Sequence, residues 1–242
     1  MLLTIDIGNS NIEIAVHQSP LLTARFETDK KRSSDEYYQR LKPYLEGIDT
    51  VVISSVVPSL VPVFQTLFKQ YLHVEALFVG PGVKTGIKLP TENPKEVGAD
   101  LVSVAAGVVD KYGPDAIIID MGTATTVSLV KARALEGVSI MIGLDSAKEA
   151  LIDKTSLLPD FIYQLPQRPL GDNTLTALNA GFLYGHFYQI EGFVKALKEP
   201  GMQVVITGGA ARIIESLFND DFIYDPSIIH HGLAVIAAKN TR

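Results

Sequence analysis

The chain has 242 residues, 47% of them hydrophobic and 20% charged, enough to fill the core of one large domain or two ordinary ones. Its formal net charge of -6 argues against a nucleic-acid partner, which would call for a concentrated basic patch. The lack of cysteine excludes disulfides and thiolate chemistry and fits a cytoplasmic protein. Met1 to Gly8 has no basic start and carries Asp6, so no signal peptide is expected. The most apolar stretch, Val51 to Phe64, is broken by Pro58 and Pro62 and is shorter than the ~20 residues of a spanning helix, so no membrane partner is expected.

In chain order, Leu2 to Ile7 is a short apolar run leading into Asp6-Ile7-Gly8-Asn9-Ser10-Asn11, and Ile12 to Val16 alternates apolar and polar residues. This predicts two strands joined by a tight Gly/Asn turn, with a third strand near Leu21 to Phe26. Ser33-Ser34-Asp35-Glu36 reads as a capping box opening a helix toward Leu45. A buried strand over Val51 to Ser54, a helix over Leu60 to Tyr71 and a short strand over Ala76 to Val79 follow. Gly80 to Val97 reads as a loop, and Gly98 to Tyr112 as a helix stopped by Gly113-Pro114. At Ala116 the opening pattern returns: an apolar strand runs into Asp120-Met121-Gly122-Thr123-Ala124-Thr125-Thr126, and Val127 to Val130 continues as a strand. Helices are expected over Leu144 to Leu151, Leu175 to Leu197, Ala210 to Phe218 and Ser227 to Lys239, with a strand over Gln203 to Thr207.

The repeat of an Asp-x-Gly turn after an apolar strand, nearly half a chain apart, predicts two similar α/β lobes, residues 1–114 and 115–242, each opening with a hairpin. A glycine in such a turn lets backbone N–H groups face a bound anion, and an aspartate before it is a hard oxygen ligand for magnesium. One such turn alone reads equally as an ordinary hairpin. Two, at equivalent places, suit a nucleoside triphosphate. Gly208-Gly209 is a third glycine turn, either for a nucleotide or a plain strand-to-helix connection. Asp100, in Gly98-Ala99-Asp100 at the start of a helix, is either a helix cap or a general base for a substrate hydroxyl. The five histidines show no ligand spacing, and His230-His231 reads as a cap or a solvent-facing pair. Asp29-Lys30-Lys31-Arg32 reads as a solvated charge run. No P-loop, nucleophile elbow or zinc motif is present.

Leu3-Thr-Ile-Asp-Ile-Gly-Asn-Ser10 resembles the first phosphate motif of type III pantothenate kinases, Asn93-Pro-Lys-Glu-Val-Gly-Ala-Asp100 their substrate motif, and Asp120-Met-Gly-Thr-Ala-Thr-Thr126 their second phosphate motif. Ala150-Leu151, Thr155 to Pro159, Asn173-Thr174, Gly181, Gly185 and Thr207-Gly-Gly209 match further along, in the family order. The resemblance implies an actin/hexokinase-like (ribonuclease H-like) fold of two lobes with an ATP cleft between them. It also implies ATP-dependent phosphorylation of pantothenate, the first step toward coenzyme A. By residue-wise carry-over, Asp6, Ile7, Gly8, Asn9, Ser10, Asn11, Ile12 and Glu13 would line the ATP phosphates, and Thr123 would contact ATP. Asp100 would be the catalytic proton acceptor. Thr91, Gly98, Ala99, Leu101 and Thr174 would bind substrate, Thr174 from the neighbouring subunit of a homodimer. Asp6 would hold magnesium, and Asp120 a monovalent cation, potassium or ammonium.

Four positions depart from the family pattern. Leu101 stands in place of an Arg, Thr91 in place of a Tyr, Ser128 in place of an acidic residue, and Ile142 precedes Gly143 where a Pro is usual. The lost Arg touches substrate use most directly, since pantothenate carries a carboxylate that a guanidinium pairs well. Two other readings therefore stay open: a kinase of the same fold for another small alcohol, and a nucleotide-binding regulator without turnover.

Overall fold

A computed structural model describes residues 1–91 and 93–240; Glu92, inside the expected loop, and the last two residues, 241–242, lie outside it. The chain separates into two units, Met1–Lys111 with the segment from Ser227 onward, and Tyr112–Pro226. The terminal segment, grouped with the second lobe on sequence grounds, thus clusters with the first.

The first unit is built on a five-stranded sheet. Strands β1 (Leu2–Ile7), β2 (Asn11–Val16) and β3 (Leu22–Glu27) form an antiparallel meander. β4 (Thr50–Ser55) and β5 (Leu77–Phe78) add parallel to β1, giving the order β3-β2-β1-β4-β5. The apolar run that marked β1 is buried as expected: Leu3, Ile5 and Ile7 are 0% exposed and enter a core closed by α1 (Ser34–Leu41) and α2 (Val61–Tyr71). The capping box forms as read, with Glu36 N–H donating to Ser33 Oγ and Ser33 N–H to the Glu36 carboxylate, and Pro43 follows where the helix stops at Leu41. On the other face lie α3 (Ala99–Tyr112) and α6 (Ile228–Asn240). These two cross at near backbone contact. A Cβ on Gly232 would stand 1.8 Å from the Ser103 carbonyl oxygen, and one on Gly107 2.4 Å from that of Ile228. Only glycine fits either place.

A polar seam ties α6 to the sheet. Thr4, on β1, is fully buried, with its hydroxyl 3.0 Å from His17 Nε2 and 2.9 Å from His230 Nδ1. His230 is thus an interior residue, 3% exposed, which corrects its reading as a cap or surface residue. No periodicity marks it, because its neighbours lie on β1 and just past the end of β2, at the far end of the chain. Only His231 meets Asp110 near the surface, at 2.9 Å.

The second unit repeats the first. β6 (Ala116–Met121), β7 (Ala124–Lys131) and β8 (Ala134–Ile142) form an antiparallel meander. β9 (Gln203–Thr207) and β10 (Phe222–Tyr224) add parallel to β6, so the order β8-β7-β6-β9-β10 matches that of the first sheet strand for strand. Helix α5 (Thr174–Leu197), capped by Asn173, buries Leu183, Phe187, Ile190 and Val194 against Ile117, Ile119 and Met121. α4 (Leu144–Lys154) precedes it. β8 and β10 were not foreseen. β8 is an edge strand with exposed Ile140 and Ile142 and a glycine inside it, so it lacks the alternation that marks a half-buried strand. Residues expected as a helix over Ala210 to Phe218 form two short 3-10 turns, Ala211–Ile213 and Glu215–Leu217. Among the described residues no helix is long and apolar enough to cross a membrane.

Candidate active site

Each unit presents its chemistry at the C-terminal ends of its parallel strands, where α/β sheets commonly bind ligands. In the first unit the β1–β2 turn is Gly8-Asn9-Ser10, closed by the Gly8 N–H donating to the Asn11 carbonyl at 2.9 Å. Asn9 and Ser10 are exposed at the tip. Ile7 and Ile12 send their side chains into the core, so their backbone is what they offer a ligand. Asp6 sits one residue before the strand end, paired across the sheet with Glu13 on β2 and Ser54 on β4. Glu13 in turn meets Arg25 Nε at 3.4 Å.

The segment after β3 braces this turn, which the sequence did not disclose. Thr28 Oγ1 donates to the Gly8 carbonyl at 2.7 Å, its N–H donates to that of Ser10, and Lys30 Nζ donates to Asn9 Oδ1 at 3.2 Å. Lys30, read as part of a solvated charge run, therefore lies beside the tip of the first hairpin.

The segment ending in Gly98-Ala99-Asp100, expected to bind substrate, lies at the same end of the unit. A Cβ on Gly98 would meet Val56 Cγ1 at 3.7 Å, and Val56 N–H donates to the Ile7 carbonyl at the end of β1. Ala99 opens α3, and Asp100 is its second residue. The Asp100 carboxylate accepts the Leu101 N–H at 2.8 Å and folds so far back that a Cβ on Gly98 would stand 2.3 Å from Oδ1. Gly98 is what permits this rotamer. Burial pushes the Asp100 carboxyl above the ordinary aspartate range. A helix cap gains nothing from that shift, whereas a proton acceptor becomes more basic. Leu101 is half-buried, and Thr91 is exposed, its hydroxyl accepting the Asn93 N–H.

In the second unit the β6–β7 turn is one residue shorter, Gly122-Thr123, and closes the same way, with Gly122 N–H donating to the Ala124 carbonyl at 3.0 Å. Asp120 occupies on β6 the place of Asp6 on β1, between Thr126 on β7 and Thr207 on β9. Two glycines hold this hairpin. A Cβ on Gly143 would stand 2.4 Å from the Thr123 carbonyl oxygen, and one on Gly208 2.5 Å from the Met121 backbone. Gly208 also has φ +90°, so packing and backbone conformation both require glycine there. Thr174, first residue of α5, lines an apolar groove of about 730 Å³ with Ile142, Leu144, Leu151, Leu178 and Phe182.

The donor set fits magnesium in one respect. Among the described residues no cluster of three or more His, Cys, Asp or Glu is placed to hold a metal. Magnesium does not need one, since it is usually held by one or two carboxylates together with waters and substrate phosphates. Asp6, with Glu13 opposite it, supplies such carboxylates.

Two sheets of one strand order, each opening with an Asp-x-Gly hairpin, define the actin/hexokinase-like fold. Solved structures agree. A Sinorhizobium meliloti protein described as a candidate 2-dehydro-3-deoxygalactonokinase is similar with a TM-score of 0.58 at 12% identity, over 98% of both chains. A Campylobacter jejuni protein described as a candidate Baf family transcriptional activator is similar with a TM-score of 0.67 at 19% identity, again over 98% of both. At these identities the likeness speaks for the fold alone. Sequence comparison goes further. The type III pantothenate kinase family matches residues 2–196. Relatives named type III pantothenate kinase from Halalkalibacterium halodurans and Bacillus cytotoxicus are 35% and 36% identical over 253 aligned positions, which span 99% of this chain and 100% and 97% of theirs. The chain belongs to the type III pantothenate kinase family, ATP-using kinases that phosphorylate pantothenate in coenzyme A biosynthesis.

Proposed function

We propose that this chain transfers the γ-phosphoryl group of ATP to the primary hydroxyl of pantothenate, giving 4′-phosphopantothenate and ADP, with Asp100 as the proton acceptor. The observation that carries the role is the half-buried, glycine-permitted carboxylate at the start of α3, raised in basicity by its surroundings. Phosphoryl transfer asks little covalent chemistry of a protein and much positioning and charge stabilisation. Asp100 orients the acceptor hydroxyl and takes its proton as the bond to phosphorus forms, while the bond to the β-phosphate oxygen breaks and leaves with ADP. Backbone N–H groups of the Gly8 to Asn11 turn meet phosphate oxygens, with Asn9 and Ser10 as neutral donors. Asp6 holds magnesium, which when bound neutralises phosphate charge. Thr123 contacts ATP, and Asp120 takes a monovalent cation, potassium or ammonium.

Thr91, Gly98, Ala99 and Leu101 face the acceptor in this reading, and Thr174 reaches it from the partner subunit of a homodimer. Exposed Leu157, Ile162 and Leu170, on the segment between α4 and α5, support such a partner, because isolated chains rarely leave that much large apolar surface in one segment uncovered. A cytoplasmic location follows from the ATP supply the reaction draws on. ADP release measured with pantothenate, with a panel of neutral alcohols and with no acceptor tests the reading. Turnover with pantothenate upholds it. Turnover with a neutral alcohol alone would tie the Leu101 substitution to a changed acceptor, and ATP binding without turnover on any acceptor would make the chain a regulator.

A further inference from the structure

Ser54 is the fifth residue of β4, and the strand register sets it beside Asp6, the fifth residue of β1. Laterally paired residues send their side chains to the same face, so the Ser54 hydroxyl and the Asp6 carboxylate leave the sheet together, near the first hairpin turn. Ser54 is 0% exposed, and its Oγ has no hydrogen-bond partner among the described residues. A buried hydroxyl in that state is destabilising, and alanine would fill the place without the penalty. The second unit keeps the same arrangement. Thr207, fifth residue of β9, stands beside Asp120, fifth residue of β6, and is 3% exposed. A hydroxyl thus recurs beside the aspartate in both copies of the fold, although Val52, on the same face of β4, is aliphatic and buried.

A costly group kept where an apolar one would pack has a partner in some other state of the protein. Because the Ser54 Oγ is sealed from solvent, that partner is a protein group, and the register puts the Asp6 carboxylate next to it. We propose that Ser54 is a positioning residue for Asp6. When magnesium and ATP bind, a change of side-chain torsion lets the Ser54 O–H donate to one oxygen of the Asp6 carboxylate, which leaves the other oxygen aimed at the cation. A bond to a charged acceptor is stronger than one between neutral groups, so the hydroxyl that is unsatisfied in the free protein contributes to binding. This inference rests on the reading of Asp6 as the magnesium anchor.

The test compares Ser54→Ala, Ser54→Thr and Asp6→Asn with the parent in melting temperature, in magnesium-ATP affinity by calorimetry, and in the magnesium concentration that half-activates ADP release. Ser54→Ala is expected to melt at the same temperature or higher, to bind magnesium-ATP about tenfold more weakly, to need about tenfold more magnesium, and to keep its KM for pantothenate. Ser54→Thr, which installs the residue the second unit already uses, restores affinity. A purely structural hydroxyl gives the reverse: Ser54→Ala loses melting temperature and keeps its magnesium dependence, which overturns the proposal. If Asp6→Asn weakens magnesium-ATP and Ser54→Ala does not, the Ser54 inference alone fails. If neither does, the reading of Asp6 fails with it.

Discussion

Asp100→Asn separates chemistry from folding at a single atom. The amide keeps the carboxylate's shape, and its oxygen can still accept the Leu101 N–H that Oδ1 accepts at 2.8 Å. What goes is the negative charge and the capacity to take a proton. Burial raises the Asp100 carboxyl above its ordinary value. The native state therefore binds the proton more readily than the unfolded chain, and stability falls as pH rises from the unfolded value toward the folded one. At neutral pH the ionised group works against folding. The free Asn variant is accordingly expected to melt at the same temperature as the parent or higher. Its turnover should fall ~100-fold or more, about 2.7 kcal/mol of transition-state stabilisation, as for loss of a general base. In the parent, kcat/KM should fall as the solution is acidified through a pKa above the usual carboxylate range. ADP release by a coupled assay, with thermal melts of both proteins across pH, measures all three. A melting temperature that drops while activity persists would show a helix-start residue and nothing more, and would refute the catalytic reading.

Gly208→Ala places a Cβ 2.5 Å from the Met121 backbone at φ +90°, so it should cost on the order of 1–3 kcal/mol and lower both the melting temperature and the ATP-induced shift in it. Burial, with the neighbouring His17 second, lowers His230 to about 4. The unfolded chain then binds more protons between pH 6.5 and 4, so roughly 3 kcal/mol should be lost as pH falls across that window, and melts of His230→Gln against the parent should show a flatter acid limb. Lys30→Met removes the cation that reaches Asn9 at 3.2 Å and is expected to raise KM for ATP several-fold, with a weaker salt dependence and an unchanged melting temperature.

The hairpins were readable because each packs its signal into a few adjacent residues: an aliphatic strand, an aspartate, a glycine. The same holds for the capping box at Ser33, where both partners lie within one turn. Whatever depends on contacts far apart in the chain was not readable. His230 is buried because Thr4 and His17 wait for it more than two hundred residues upstream, and nothing around it in the sequence records that. Lys30 looked like one member of a charge run because its partner is at a turn on another strand. β8 escaped notice because it exposes isoleucines where an ordinary edge strand shows polar residues. For Asp100, the sequence allowed a cap or a base. The folded-back carboxylate against Gly98, which supports the base reading proposed above, is visible only in three dimensions.

The two sheets share one frame, and the residues flanking each aspartate show how the two units differ. Read across the first sheet at the level of Asp6, the row is Arg25, Glu13, Asp6 and Ser54. Across the second at the level of Asp120, it is Ile140, Thr126, Asp120 and Thr207. The strand positions correspond one to one, and the hydroxyl on the parallel neighbour is common to both. The antiparallel side differs. There the first copy carries an acid and its balancing guanidinium, and the second a threonine and an aliphatic residue. Arg25 offsets one charge of the first row, so what distinguishes that row is two carboxylates' worth of oxygen ligands, which suit a hard doubly charged cation. One carboxylate among hydroxyls suits a singly charged ion or a neutral donor, because hard oxygen sites are tuned by how many of their ligands are charged. The same backbone, used twice, thus offers two electrostatic environments at equivalent points. The exchanges of Glu13 for Thr126 and of Arg25 for Ile140 separate them. A chain in which Thr126 were made acidic should move its second hairpin toward the behaviour of its first.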